Sequence, residues 1–144
     1  MRKILTMAFV AAVVAVWAVP SSCWSQTQEV GHFSQVVNQV NYQKQGKGPE
    51  TPAKVKDGVE NQDVVKTKAQ SRAMMRFVDD TTMTVGPKTE LAIEDYMYDA
   101  KKGTRSAVVE VYKGVVETVT PTVTPNEKPN FIMRTPTATA GIRG

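Results

Sequence analysis

Most of the side chains that carry out chemistry are missing from this sequence or present only once. Cys23 is the single cysteine, so no disulfide can close within the chain. Stability in an oxidising compartment then has to come from packing and strand hydrogen bonds. His32 is the single histidine. Hydrolytic triads use histidine as their base, and a zinc site needs a set of nitrogen, sulfur or carboxylate ligands. One histidine near the start of a mature chain supplies neither and reads as a solvated side chain. Net charge is also low, +4 over 144 residues and +2 once Arg2 and Lys3 are set aside. Lys44, Lys47, Lys54, Lys56, Lys66 and Lys68 are scattered among acidic residues and do not form one face, which argues against nucleic acid as a partner. Past the N-terminal run there is no sustained helical stripe and no repeat of long period. The reading is therefore of a protein that is not an enzyme, with no catalytic residue, no metal ligands and no cofactor, and with its binding residues unknown.

What is present begins with an export signal. Arg2 and Lys3 precede an apolar run from Ile4 to Val19, and Pro20-Ser21-Ser22 break it, which is the layout of a secretory signal peptide. The run is shorter than the roughly 20 residues of a membrane-spanning helix. Cys23 and Ser25 are the small residues that cleavage after Ser25 requires, giving a signal peptide over 1–25 and a mature domain over 26–144. The competing reading makes Cys23 a lipidated first residue that tethers the domain to a membrane surface. Against it, Pro20 stands where a lipoprotein signal has a leucine-like residue. Both readings place the domain in the periplasm or outside the cell, with membrane association only if Cys23 is lipidated or the leader is kept. The exported length suits one domain with a modest core.

The rest of the chain reads as short strands and tight corners. In Ser71 to Phe77, Ala73, Met75 and Phe77 fall on one face, because successive strand residues point to opposite sides of a sheet. Asp79-Asp80-Thr81 turns the chain, Thr82-Met83-Thr84-Val85 repeats the alternation, and Gly86-Pro87-Lys88-Thr89 turns it again before Leu91 and Ile93. Val30 to Tyr42 is β-branched enough to read as strand, and Gln43 to Pro52 as an exposed loop. Ser106 to Thr120 reads as two strands joined at Gly114, one buried on both faces near Val108 and Val109. Pro121, Pro125 and Pro129 take Thr120 to Pro129 out of the sheet, and Phe131-Ile132-Met133 brings the chain back. The fold class is all-β with little or no helix, as a rolled sheet or a few β-solenoid coils.

This order of residues resembles the FecR domain, a β-rich module of bacterial envelope proteins. The resemblance rests on Asp63-Val64-Val65-Lys66-Thr67 followed by Ser71-Arg72-Ala73, and on the Phe77 to Leu91 block of strand, acidic turn, strand, Gly-Pro turn and strand. It also rests on Val109 to Gly114, and on Thr135 to Gly144, the most specific of the four. The best-matched core is 58–144, and the resemblance implies a β-helical or sandwich-like fold. In two places the sequence departs from the pattern. Asp80 stands where the family has glycine, so the turn is expected to be strained or one residue longer. Family members usually continue past the Gly-Ile-Arg-Gly corner into another strand; with none after Gly144, the preceding strand is expected to have an open edge, and either the product is truncated or a partner supplies the strand.

Carboxylates and tyrosines are the remaining candidates. Asp79 with Asp80, and Glu94 with Asp95 and Asp99, read as a turn and a polar strand end in preference to calcium ligands. Tyr96 and Tyr98 alternate onto one face, as core-edge packing or as a platform for a sugar or protein partner. The resemblance implies the outer part of a transmembrane regulator that controls a sigma factor in iron-siderophore signalling. Only three residues precede the apolar run, so no anti-sigma module is expected. The expected function is an exported domain that recognises an envelope protein in cell-surface signalling. The alternative is a secreted structural module that binds glycan or peptidoglycan.

Overall fold

Alternation of β-branched and apolar residues with polar ones dictates strands whose inner faces must find cover. The computed structural model describes residues 28–121, 128–136 and 139–142. The signal peptide read over 1–25 lies outside the described residues. Among the described residues twelve strands follow in order: β1 (Glu29–Val37), β2 (Val40–Gln43), β3 (Thr51–Pro52), β4 (Gly58–Glu60), β5 (Val64–Thr67) and β6 (Arg72–Phe77), then β7 (Thr82–Val85), β8 (Glu90–Asp99), β9 (Thr104–Lys113), β10 (Val116–Val119), β11 (Lys128–Arg134) and β12 (Thr139–Ile142). Helix among the described residues is limited to one 3-10 turn, Lys44–Gly46. The fold is all-β, as its alternation predicts.

The strands form two sheets. The smaller has the order β10-β7-β6-β1-β4 and the larger β12-β11-β9-β8-β5-β2-β3. All pairings are antiparallel except β11 with β9, which run parallel from Lys128 beside Thr104 to Arg134 beside Glu110. Both sheets feed one apolar core. Phe33, Ala73, Met75, Phe77, Met83 and Val85 enter it from the smaller sheet; Val65, Leu91, Ile93, Val109 and Phe131 enter from the larger. Met75 pairs with Met83 across β6 and β7, and both are fully buried. Each such side chain contributes about 1.5–3 kcal/mol relative to exposure.

Corners are made largely without glycine. Asn38, Gln45, Lys56, Gln62, Gln70, Asp80 and Lys88 all adopt positive φ, a conformation that is uncommon for residues with a side chain. The acidic turn uses three residues, Val78, Asp79 and Asp80. The Phe77 N–H donates to the Thr81 carbonyl at 2.9 Å and the Asp80 N–H donates to the Phe77 carbonyl at 3.1 Å. Asp80 takes the left-handed position at φ 63, a conformation glycine adopts without strain and aspartate tolerates better than most residues.

Several readings need correction. The segment from Val30 to Tyr42 is two strands, because Asn38 turns left-handed and sends β1 and β2 into different sheets. Gln43 to Pro52 is not all loop, since Thr51 and Pro52 pair with Tyr42 and Asn41. Val108 is half-buried, not buried, while Val109 has no exposure, so only one face of β9 meets the core. Pro129 is in β11, beside Arg105 of β9. The ladder with β12 starts only at Phe131, so Pro129 sits where β11 is paired on one side, and proline is tolerated there. The rest of the Thr120 to Pro129 excursion lies mainly outside the described residues.

Candidate functional site

The acidic turn is the most heavily bonded polar feature. Asp79 follows a strand whose inner face is buried, and the turn folds its carboxylate inward, where its side chain has no exposure. Oδ1 accepts from the Thr81 N–H at 3.1 Å and from the Tyr96 hydroxyl at 2.6 Å, while Oδ2 accepts from the Thr81 hydroxyl at 2.8 Å. Arg105, on β9, closes on Asp79 Oδ2 through Nε as a buried ion pair without hydrogen-bond alignment, and its Nη1 has no hydrogen-bond partner among the described residues. The Tyr96 ring stacks on Phe77 at 4.3 Å between centroids, nearly parallel at 6°. Burial, then the hydrogen bond to Asp79, pushes the Tyr96 hydroxyl far above the ordinary tyrosine range.

This arrangement decides between the two readings of the tyrosines. Tyr96 is core, Tyr98 is half-buried, and Met97 points outward at 60% exposure, so no exposed tyrosine pair forms. Asp79 and Asp80 do not converge on a common ligand either. Asp80 is exposed and accepts from Arg76 Nη2 at 2.7 Å. Asp99 accepts the N–H groups of Lys101 and Lys102 at 3.0 and 3.2 Å, shaping the β8–β9 turn, while Glu94 and Asp95 stay exposed. Among the described residues no three histidine, cysteine or acidic side chains gather as metal ligands. His32 needs a correction. It does not sit at a frayed edge but within β1, with β6 on one side and β4 on the other and its side chain exposed.

Two buried polar residues escaped the sequence reading. The Asp63 carboxylate accepts from Lys44 Nζ and from the N–H groups of Gln45 and Glu60, each at 3.0 Å. It ties the 3-10 turn to the β4–β5 corner. Burial alone would lower the Lys44 ammonium, but hydrogen bonds to Asp63 and Glu60 outweigh it and raise the group above the ordinary lysine value. Arg105 is the other. Nothing in Thr104-Arg105-Ser106 marks it as inward, because its partner lies far away in sequence.

With no enclosed chemistry at these side chains, the backbone edges become the candidate surface. β3 is two residues long and ends in proline. At β4 the Gly58 carbonyl accepts from Lys44 Nζ at 3.1 Å, and the Glu29 carboxylate packs against the glycine. β12 forms the far edge of the larger sheet. β10 is the other edge of the smaller sheet, and among the described residues no strand pairs with its far side. The Gly86 N–H donates to the Val115 carbonyl at 2.8 Å. That bond fixes the alternation of the β7 ladder, so the backbone groups of Val116 and Thr118 point away from β7. Val115 just before the strand and Val119 at its end are 67% and 61% exposed, and the buried Thr118 Oγ1 has no hydrogen-bond partner among the described residues. The strand is held firmly at its start. The Val115 N–H donates to Thr89 Oγ1 at 3.0 Å, and Gly114 turns there at φ 99.

Two sheets over one core, joined by tight corners and carrying a buried acidic turn, define an all-β domain. A family model described as FecR protein matches residues 63–144, which spans β5 to β12. The chain belongs to the FecR family, whose members are typically envelope-associated signalling proteins. Membership gives it a role related to cell-surface signalling. No curated protein matches the chain, and no solved structure does.

Proposed function

We propose that this is a non-enzymatic, exported FecR domain that recognises an envelope protein and holds it without transforming it. The open edge of β10 carries this reading. An extended segment that adds to an exposed strand gains main-chain hydrogen bonds at once and reads side chains at alternate positions. The exposed Val115 and Val119 and the outward backbone groups of Val116 and Thr118 suit that mode. The Thr89 clamp lowers the ordering cost of binding.

The test is capture of solubilised envelope proteins on the immobilised full chain, with Thr118→Pro in parallel. The Thr118 N–H points away from β7, so proline there spares the existing ladder and blocks a new one. The expected result is one receptor or transducer protein retained by the native chain and lost from the variant, with the thermal transition kept. Equal retention by both would remove β10 from the reading. A second reading, a surface module that holds envelope glycan, is favoured by a cationic plate of corners at one end of the two sheets.

A further inference from the structure

We propose that the plate formed by the β1–β2, β5–β6 and β7–β8 corners is a binding site for an anionic envelope saccharide, one bearing carboxylate or phosphate groups. The proposal deepens the glycan reading and is independent of the protein-partner one. The corners are bonded into one surface. The Gln39 N–H donates to Ser71 Oγ at 3.1 Å, the Lys68 N–H to the Gln39 carbonyl at 3.0 Å, and the Lys88 N–H to the Lys68 carbonyl at 3.1 Å. The Asn38 amide donates to the Gln70 carbonyl. Thr67 Oγ1 donates to the Gly86 carbonyl at 2.6 Å and accepts from the Thr89 N–H at 2.9 Å. Many of the corner backbone groups are thus used within the plate, and the side chains above it are left for a ligand.

Those side chains have one sign. Residues 35–39, 67–73 and 84–89 hold Lys68, Arg72 and Lys88 and no acidic residue. All three cations are exposed, and none makes an ion pair with a described residue. The Glu50 carboxylate, within electrostatic reach of Lys68, is already held by Lys66 at 2.7 Å and by the Asn41 amide at 3.3 Å. Beside the cations lies a shallow depression lined by Gln35, Val37, Gln70, Ser71, Arg72 and Pro87. Its parts match a charged sugar. Val37 and Pro87 offer an apolar floor to the C–H face of a ring, and the two glutamine amides can exchange hydrogen bonds with hydroxyls. Arg72 presents the planar fork that pairs with carboxylate or phosphate through two parallel bonds.

The backbone adds a separate observation. Asn38, Gln70 and Lys88 each turn the chain at positive φ, 59, 55 and 52 respectively. Glycine would turn there more easily, and side chains held in this region of conformation concentrate at binding sites. The depression is open and shallow. It suits a polymer laid across it in place of a small molecule enclosed by it.

Retention of the full chain on purified peptidoglycan sacculi and on purified lipopolysaccharide, at low salt, tests the site. Retention on sacculi reports carboxylate recognition, and retention on lipopolysaccharide without retention on sacculi reports phosphate recognition, because lipopolysaccharide carries both groups. Lys68→Glu, Arg72→Glu and Lys88→Glu are combined in one variant, and Lys54→Glu, Lys56→Glu and Lys101→Glu in a control of equal net charge. Binding to one of the two saccharides is expected, weakened at least about tenfold by the plate variant and less than about twofold by the control. Equal retention of the plate variant overturns the site and leaves the glycan reading standing. No retention of the native chain on either material overturns both. Equal weakening by the control assigns the effect to net charge and overturns the site. So does retention on anionic phospholipid vesicles alone.

Discussion

Asp79 receives an N–H, two hydroxyls and a guanidinium, and the Tyr96 hydroxyl is the donor that ties the turn to the larger sheet. Tyr96→Phe keeps the stack on Phe77 and removes that bond to a charged acceptor. It is expected to cost about 1.5–3 kcal/mol in denaturant unfolding at neutral pH. The sign of the pH dependence follows from the raised Tyr96 value. The fold favours the neutral hydroxyl, so its contribution is complete below the unfolded tyrosine value of about 10 and is lost as pH rises past it. Lys44, also raised, acts in the same alkaline direction, because its charged form is the one Asp63 and Glu60 hold. The native chain should therefore lose stability above about pH 10, and Tyr96→Phe should show a shallower loss. An equal slope in both proteins would contradict the assignment to Tyr96.

Among the elements, the β9–β10 corner has the least tolerance. A Cβ at Gly114 would overlap Thr89 Oγ1 and Cα, and φ 99 is already a glycine conformation. Gly114→Ala should cost about 2–4 kcal/mol. Amide exchange at Glu117 and Val119, whose N–H groups face β7, should quicken more than exchange in β8, because the start of β10 is the part displaced. At this scale the sequence was largely legible. Period-two alternation located β6 and β7, and the Gly-Pro and Lys-Gly corners closed strands where they should. Partners distant in sequence were not legible. Arg105 meets Asp79 only after β9 is laid beside β8, and the exposure of β10 depends on which strand fails to arrive. Asn38 hid the switch of sheets inside a run that reads as continuous strand.

For the whole molecule, both sheets draw on one core, so the described domain has no part that could melt alone with its apolar face covered. Thermal unfolding of the mature protein should follow one transition, with fluorescence and far-ultraviolet dichroism coincident. Two separated midpoints would count against the shared core.

β1 is an interior strand of its sheet, between β4 and β6, and β9 waits for the parallel strand β11. In a chain made N-terminus first, β1 therefore has no partner until β4 and β6 follow, and the smaller sheet cannot be zipped shut until β10 is made. Connectivity alone keeps the early chain pliable during synthesis. Refolding from denaturant should accordingly be slow for the chain length, on the order of milliseconds to seconds, because loop entropy is spent before the distant strands repay it.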